Sequence, residues 1–213
     1  MCLFFSIIKR KKHSQFKFFP FYFTTFIILQ LEFYCVLIFF IDKPYFKKIS
    51  LLHRYTDTFV TLTEFFAFMY FFYHVIKNTK KKKLIKWLAI TGIATGTLII
   101  LTDIFVKGFM RQRSLTNIYI LESSIMLIPC YFYYRELFSL SPKTNLLQNA
   151  NFWTVTGLSF YLICTLPITF VLDYLANIDY LLYTQVYSII YVFYIFFFIL
   201  IIKSYLCKPT NLT

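Results

Sequence analysis

The sequence predicts an all-α fold, a polytopic transmembrane helix bundle, and three observations carry that reading. Hydrophobic residues make up 59% of the 213. The charged residues fall in a few clusters between long apolar runs instead of alternating along helix faces. Six of those runs are long enough to cross about 30 Å of hydrocarbon at about 1.5 Å per residue. A soluble domain of this length would need polar faces on its surface elements, and these segments are apolar nearly all round. The mean hydropathy of +0.66 agrees.

The chain opens on "MCLFFSII", apolar but too short to span, followed directly by "KRKKHSQFK". That order is the reverse of a secretory signal, whose basic region comes first. Two readings stay open for residues 1–17: a surface-lying stub with a basic segment, or the end of a seventh helix truncated at its start. The spans then follow at 18–41, 51–76, 87–106, 114–135, 152–175 and 184–202, with 207–213 as a tail. Short connections make consecutive helices antiparallel neighbours and leave no room for a soluble catalytic domain.

In the first span Thr25 and Glu32, seven apart, share a face. The second carries His53, Asp57, Thr61 and Glu64 at spacings that place them on one stripe, running from one surface to mid-membrane. In the third, Gly92 and Gly96 form a G-x-x-x-G pattern suited to close helix approach, and Asp103 continues that face. The fourth holds Glu122 near its centre and Pro129 beyond it. The fifth holds Pro167, and both prolines are expected to bend their helices. In the sixth, Tyr187, Tyr191 and Tyr194 form a phenol stripe expected to pack or anchor at the lipid interface.

The formal net charge of +13 would suggest nucleic acid in a soluble protein. Here the cations sit at span ends, where they orient the chain and meet lipid headgroups, and no nucleic-acid partner is expected. One side carries Lys9, Arg10, Lys11, Lys12 and Lys17, the Lys77 to Lys86 cluster, Arg135 and Lys143, then Lys203 and Lys208. The other carries Lys43, Lys47, Lys48, Arg54, Lys107, Arg111 and Arg113. The richer side is cytoplasmic by the positive-inside rule, so both visible termini face the cytoplasm. The lysine run reads as a topology anchor, with an acidic-lipid patch as its alternative.

Five cysteines, widely separated and without a CxxC pair, predict neither disulfide framework nor zinc site, and the histidines lack metal-ligand spacing. There is no HExxH, GxSxG, Walker loop or dinucleotide glycine fingerprint. Neither enzyme activity nor a cofactor or metal is expected.

Attention therefore falls on Glu32, Glu64 and Glu122, each near the middle of its span with no lysine or arginine in the central stretches. A charge at helix centre costs roughly 2.5 to 3.5 kcal/mol on insertion scales, so these acids should point into the bundle or a wet cavity. They can hold a proton, accept several hydrogen bonds, or bind a cation. The candidate polar site is Glu32, Asp57, Glu64 and Glu122, reached from outside past His53 and Asp103. Hydrogen-bonded helix glue is the plainer reading for any one of them.

Glu64, the stretch "LTNIYILESSIMLI" with Asn117 and Glu122, and "NFWTVTGLSFYLICTLP" with Asn151, Phe152, Trp153, Gly157, Tyr161 and Pro167 resemble a family. It comprises bacterial membrane proteins of about seven helices that serve as, or are encoded near, sensor regions of two-component histidine kinases. The closing "YSIIYVFYIFFF" is similar to their last helix. The resemblance covers roughly residues 18–206. It implies a sensor-like or accessory module of the bacterial inner membrane, partnered by the lipid bilayer and a signalling protein such as a histidine kinase, with Asn117, Trp153, Gly157 and Tyr161 as matching positions beside the glutamates. No output domain follows Lys208 in this sequence. The alternatives are a small proton- or cation-coupled transporter or channel, and a structural subunit of a membrane complex.

Overall fold

The computed structural model describes residues 16, 19–28, 46–107, 112–139, 146–178 and 180–207, with the backbone alone over 46–57, 107, 112–115 and several positions in 173–184. The described chain is helical, without strands. It comprises α1 Phe19–Ile28, α2 Phe46–Val75, α3 Thr79–Lys107, α4 Gln112–Phe138, α5 Ala150–Ile178 and α6 Tyr180–Leu206, with a 3-10 turn at Leu146–Gln148. Three helical stretches are long and apolar enough to cross a membrane: Thr79–Val106, Ala150–Leu172 and Gln185–Leu206. Helices α2 and α4 are comparably long, at 30 and 27 residues, but each carries a glutamate in its middle. Of the first predicted span only 19–28 is described. Glu32 and the stub that bears on a seventh helix, residues 1–15, lie outside the described residues.

Local chemistry sets the helix starts. Asn78 caps α3: its Oδ1 accepts the N–H groups of Lys80 at 3.0 Å and Lys81 at 3.3 Å. Asn149 caps α5 in the same way, accepting from Asn151 at 2.9 Å and Phe152 at 3.4 Å. Each cap satisfies donors that the first helical turn leaves without an intrahelical partner. Within α3, Thr91, Thr95, Thr97 and Thr102 each donate a hydroxyl to the carbonyl four residues back. Threonine thereby meets its own hydrogen-bonding need in apolar surroundings. Pro129 and Pro167 lie inside the continuous helices α4 and α5.

The bundle is assembled around α4, which packs against α2, α3 and α5, while α5 and α6 form the most extensive helix pair. At Gly157 on α5 an added Cβ would lie 3.0 Å from Leu200 Cβ on α6. The missing side chain lets the two backbones approach, and the Thr154 hydroxyl donates to Ser204 Oγ at 2.8 Å along the same seam. The described part of α1 fits between α2 and α6 by aromatic contact. Phe19 meets Phe68 at 5.1 Å, and Phe26 meets Phe198 at 5.3 Å. Such pairs contribute about 0.5 to 1.5 kcal/mol each beyond area burial. Phe16, assigned by the sequence to a basic surface segment, is buried, stacked 5.5 Å from Phe71 and 5.2 Å from Tyr205. Its apolar ring follows the core, not its charged neighbours.

The G-x-x-x-G face of α3 packs as expected: positions 92 and 96 meet Phe65 and Leu62 of α2. The outer surface is apolar, with Leu98 at 62%, Phe105 at 82% and Val192 at 62% exposure. Water would not tolerate such helices in a single-chain soluble domain, whereas lipid solvates them. One end gathers the cations: Lys81 pairs with Glu136 at 3.1 Å, and Lys203 lies over the Trp153 ring.

Candidate functional site

Two glutamates from neighbouring helices lie in the aromatic interior. Glu64 on α2 is 4% exposed and Glu122 on α4 is 7% exposed, and the Glu64 carboxyl acts electrostatically on Glu122. Glu64 Oε2 accepts a hydrogen bond from the Tyr194 hydroxyl at 3.3 Å. Tyr22 of α1 interacts with the same carboxyl, yet neither the Tyr22 hydroxyl nor Glu64 Oε1 completes a hydrogen bond of good geometry. Glu122 Oε1 is likewise buried without a partner. Among the described residues neither glutamate has a cationic neighbour in ion-pair distance, whereas Glu136, at the bundle end, pairs with Lys81.

The phenols are held by packing. Tyr194 stacks on Phe26 at 5.7 Å and lies 4.5 Å from the Tyr161 ring, which in turn stacks on Phe197 at 5.5 Å. Tyr161 and Tyr194 also interact through their hydroxyls. The cluster thus draws Tyr22 from α1, Glu64 from α2, Glu122 from α4, Tyr161 from α5 and Tyr194 from α6. Glu122 also lines a crevice of about 10 Å³ with Leu62, Phe65, Gly92, Gly96, Ile118 and Leu121. That is space for one water at most.

The structure brings together Glu64 and Glu122 of the predicted quartet. Asp57 and His53 lie on the backbone of α2, but their side chains, like Glu32, lie outside the described residues. Asp103 is half-buried on α3, and Asn117 is exposed on α4. Of the other family-like positions, Tyr161 enters the cluster and Gly157 sets the α5–α6 contact. Trp153 stays at the lysine-rich end, donating its indole N–H to the Leu147 carbonyl at 2.9 Å.

The sequence reading missed Tyr22 and treated Tyr194 as one member of a stripe expected to pack or to anchor at the lipid interface. Tyr187 and Tyr191 are indeed exposed, while Tyr194 turns inward. In a chain with 18 tyrosines, only the fold distinguishes these. Among the described residues no group of three or more His, Cys, Asp or Glu is placed to hold a metal ion.

The fold and cluster define a class, an all-helical membrane-type bundle with an acid–phenol interior. No family model, curated protein or solved structure matches this chain.

Proposed function

We propose that the chain is a sensor-like or accessory membrane module whose Glu64–Glu122 cluster takes up a proton or a small cation and couples that event to helix packing. The observation that carries this reading is a pair of buried carboxyls, each with an unpartnered oxygen and, among the described residues, no cationic side chain beside it. A buried polar atom left unsatisfied costs about 1 to 3 kcal/mol, more when charged, so such a site gains by acquiring a proton, a cation or a water. The crevice at Glu122 favours an occupant of that size over an organic ligand. Because the cluster draws on five helices, a change of occupancy alters how they fit, and differential affinity for two packings is what a signal requires.

In this reading the protein is non-enzymatic and resides in a bacterial inner membrane with its lysine-rich end cytoplasmic. It passes the rearrangement to a membrane or cytoplasmic partner, for example a histidine kinase. The test is a pull-down of the tagged protein from native membranes, with partners identified by mass spectrometry. Recovery of a signalling protein supports the reading, and a chain recovered alone counts against it. A second reading, cation- or proton-coupled transport, draws on the same crevice, since it places a carboxyl next to a water-sized void. Flux in liposomes, abolished by Glu64→Gln, would favour it.

A further inference from the structure

The two carboxyls of the acid–phenol cluster differ in what reaches them. Glu64 is supplied with donors: the Tyr194 hydroxyl donates to its Oε2 at 3.3 Å, and the Tyr22 hydroxyl interacts with the same carboxyl. Glu122 lacks them, since its Oε1 is buried without a partner and no hydrogen bond from a described residue reaches its carboxyl. Hydrogen bonds to a carboxylate favour its charged form. A single negative charge shared by this pair therefore belongs on Glu64. Glu122 also differs in its surroundings. It is 7% exposed and lines the crevice of about 10 Å³, where it is the one residue with a polar side chain, the others being glycine and large apolar residues.

We infer that the occupant of the cluster is one proton, held by Glu122 as a neutral carboxylic acid beside an ionised Glu64, and exchanged with water in the crevice. This names the ligand of the site described above and rests on the reading of that site as one for a proton or a small cation. Among the described residues, the titratable groups that interact with the Glu122 carboxyl are Glu64 of α2, Tyr22 of α1 and Tyr161 of α5. Helix α3 lines the crevice with Gly92 and Gly96, and Tyr194 of α6 is engaged by Glu64. Hydronium gives its proton to the carboxylate and leaves as water, for which the crevice has room. A hard metal cation takes about six oxygen ligands or more. Carbon surrounds this void, and no group of three or more His, Cys, Asp or Glu among the described residues is placed to hold a metal. The proton also turns Glu122 from an acceptor without donors into a donor. Its release sets two like charges against each other in the interior, so the packing response needs Glu64 as well.

The experiment is infrared spectroscopy of the full chain in phosphatidylcholine bilayers, as the pH is raised from neutral, with sodium chloride or an equal concentration of N-methylglucamine chloride. The wild type should show the carbonyl stretch of a protonated carboxylic acid at neutral pH. That band should disappear as the pH rises and be the same in both salts. Glu122→Gln should lose it, and Glu122→Asp should keep it at a shifted frequency. Gel filtration establishes that each variant is folded. If Glu122→Gln does not fold, the frequency shift in Glu122→Asp carries the assignment. A band absent from the wild type at neutral pH, one that persists in Glu122→Gln, or one unshifted in Glu122→Asp would overturn the inference. Carboxylate bands that respond to sodium without any protonated band would overturn the proton and leave the cluster as a cation site. Indifference to both pH and sodium would overturn the reading of the cluster itself.

Discussion

The Tyr194 hydroxyl of the last helix donates to Glu64 Oε2 of the second at 3.3 Å, across 130 residues of sequence. This contact links α2 to α6 in the polar interior of the bundle, and it sets the first prediction. Tyr194→Phe removes the donor but keeps the ring stacking with Phe26 and Tyr161. It should destabilise the folded protein by about 1 to 3 kcal/mol. Thermal unfolding in detergent, combined with Glu64→Gln in a double-mutant cycle, should give a coupling energy above about 0.5 kcal/mol. Additive effects would mean the hydrogen bond contributes nothing.

Glu64→Gln should retain the fold within about 1 kcal/mol, because the amide oxygen can still accept from Tyr194 and its NH₂ can donate toward Tyr22. Its response to protons or cations should be lost. Glu64→Leu removes the polar partner from both phenols and should cost about 2 kcal/mol or more. Identical responses in Glu64→Gln and wild type would make Glu64 a structural residue.

At Gly92 an added Cβ would lie 2.5 Å from Phe65 Cζ and 3.2 Å from Ile125 Cδ1, whereas at Gly96 the nearest atom is Leu62 Cδ2 at 3.3 Å. Phe65 is buried, so Gly92→Ala requires a core ring to move and should cost about 1 to 3 kcal/mol. Gly96→Ala asks only a small shift of a leucine methyl and should cost less. Melting curves of the two variants should therefore differ, and the reverse order would show that α3 is free to slide over α2.

Thr154→Val keeps the shape of the side chain but breaks the hydrogen bond to Ser204. Polar contacts between membrane helices average about 0.6 kcal/mol, so a loss of that order is expected. Stability measured alongside Gly157→Ala should fall further in the second variant, because backbone approach outweighs one hydroxyl pair at this seam.

Much of the architecture was legible because membrane helices announce themselves by length and apolarity. The central positions of Glu64 and Glu122 were visible for the same reason: a carboxylate stands out against phenylalanine and leucine. Gly92 and Gly96 were read correctly as packing residues from their spacing. Tyr22 was not legible, since its role depends on where α1 lies relative to α2, and aromatic residues carry no periodic signal when they cover every face. Tyr194 belongs to an i, i+4, i+7 stripe of which only the last member turns inward, and spacing cannot rank positions within a stripe. The part of Glu136 was not legible either, since it depends on the turn after α2 folding onto the end of α4, where Glu136 accepts from Lys77 and Lys81.

The wide separation of Glu64 from Tyr194 has a consequence for biosynthesis. With translation at about 5–20 residues per second, the glutamate precedes its hydroxyl partner by on the order of ten seconds. During that interval α2 resides in the bilayer, or in the insertion machinery, with a carboxyl that has no final partner. Helix α6 therefore completes the polar interior, and a nascent chain arrested before α6 would display an unfilled polar socket. Membrane quality-control proteases that recognise exposed polar groups would have a means of telling a finished molecule from an interrupted one.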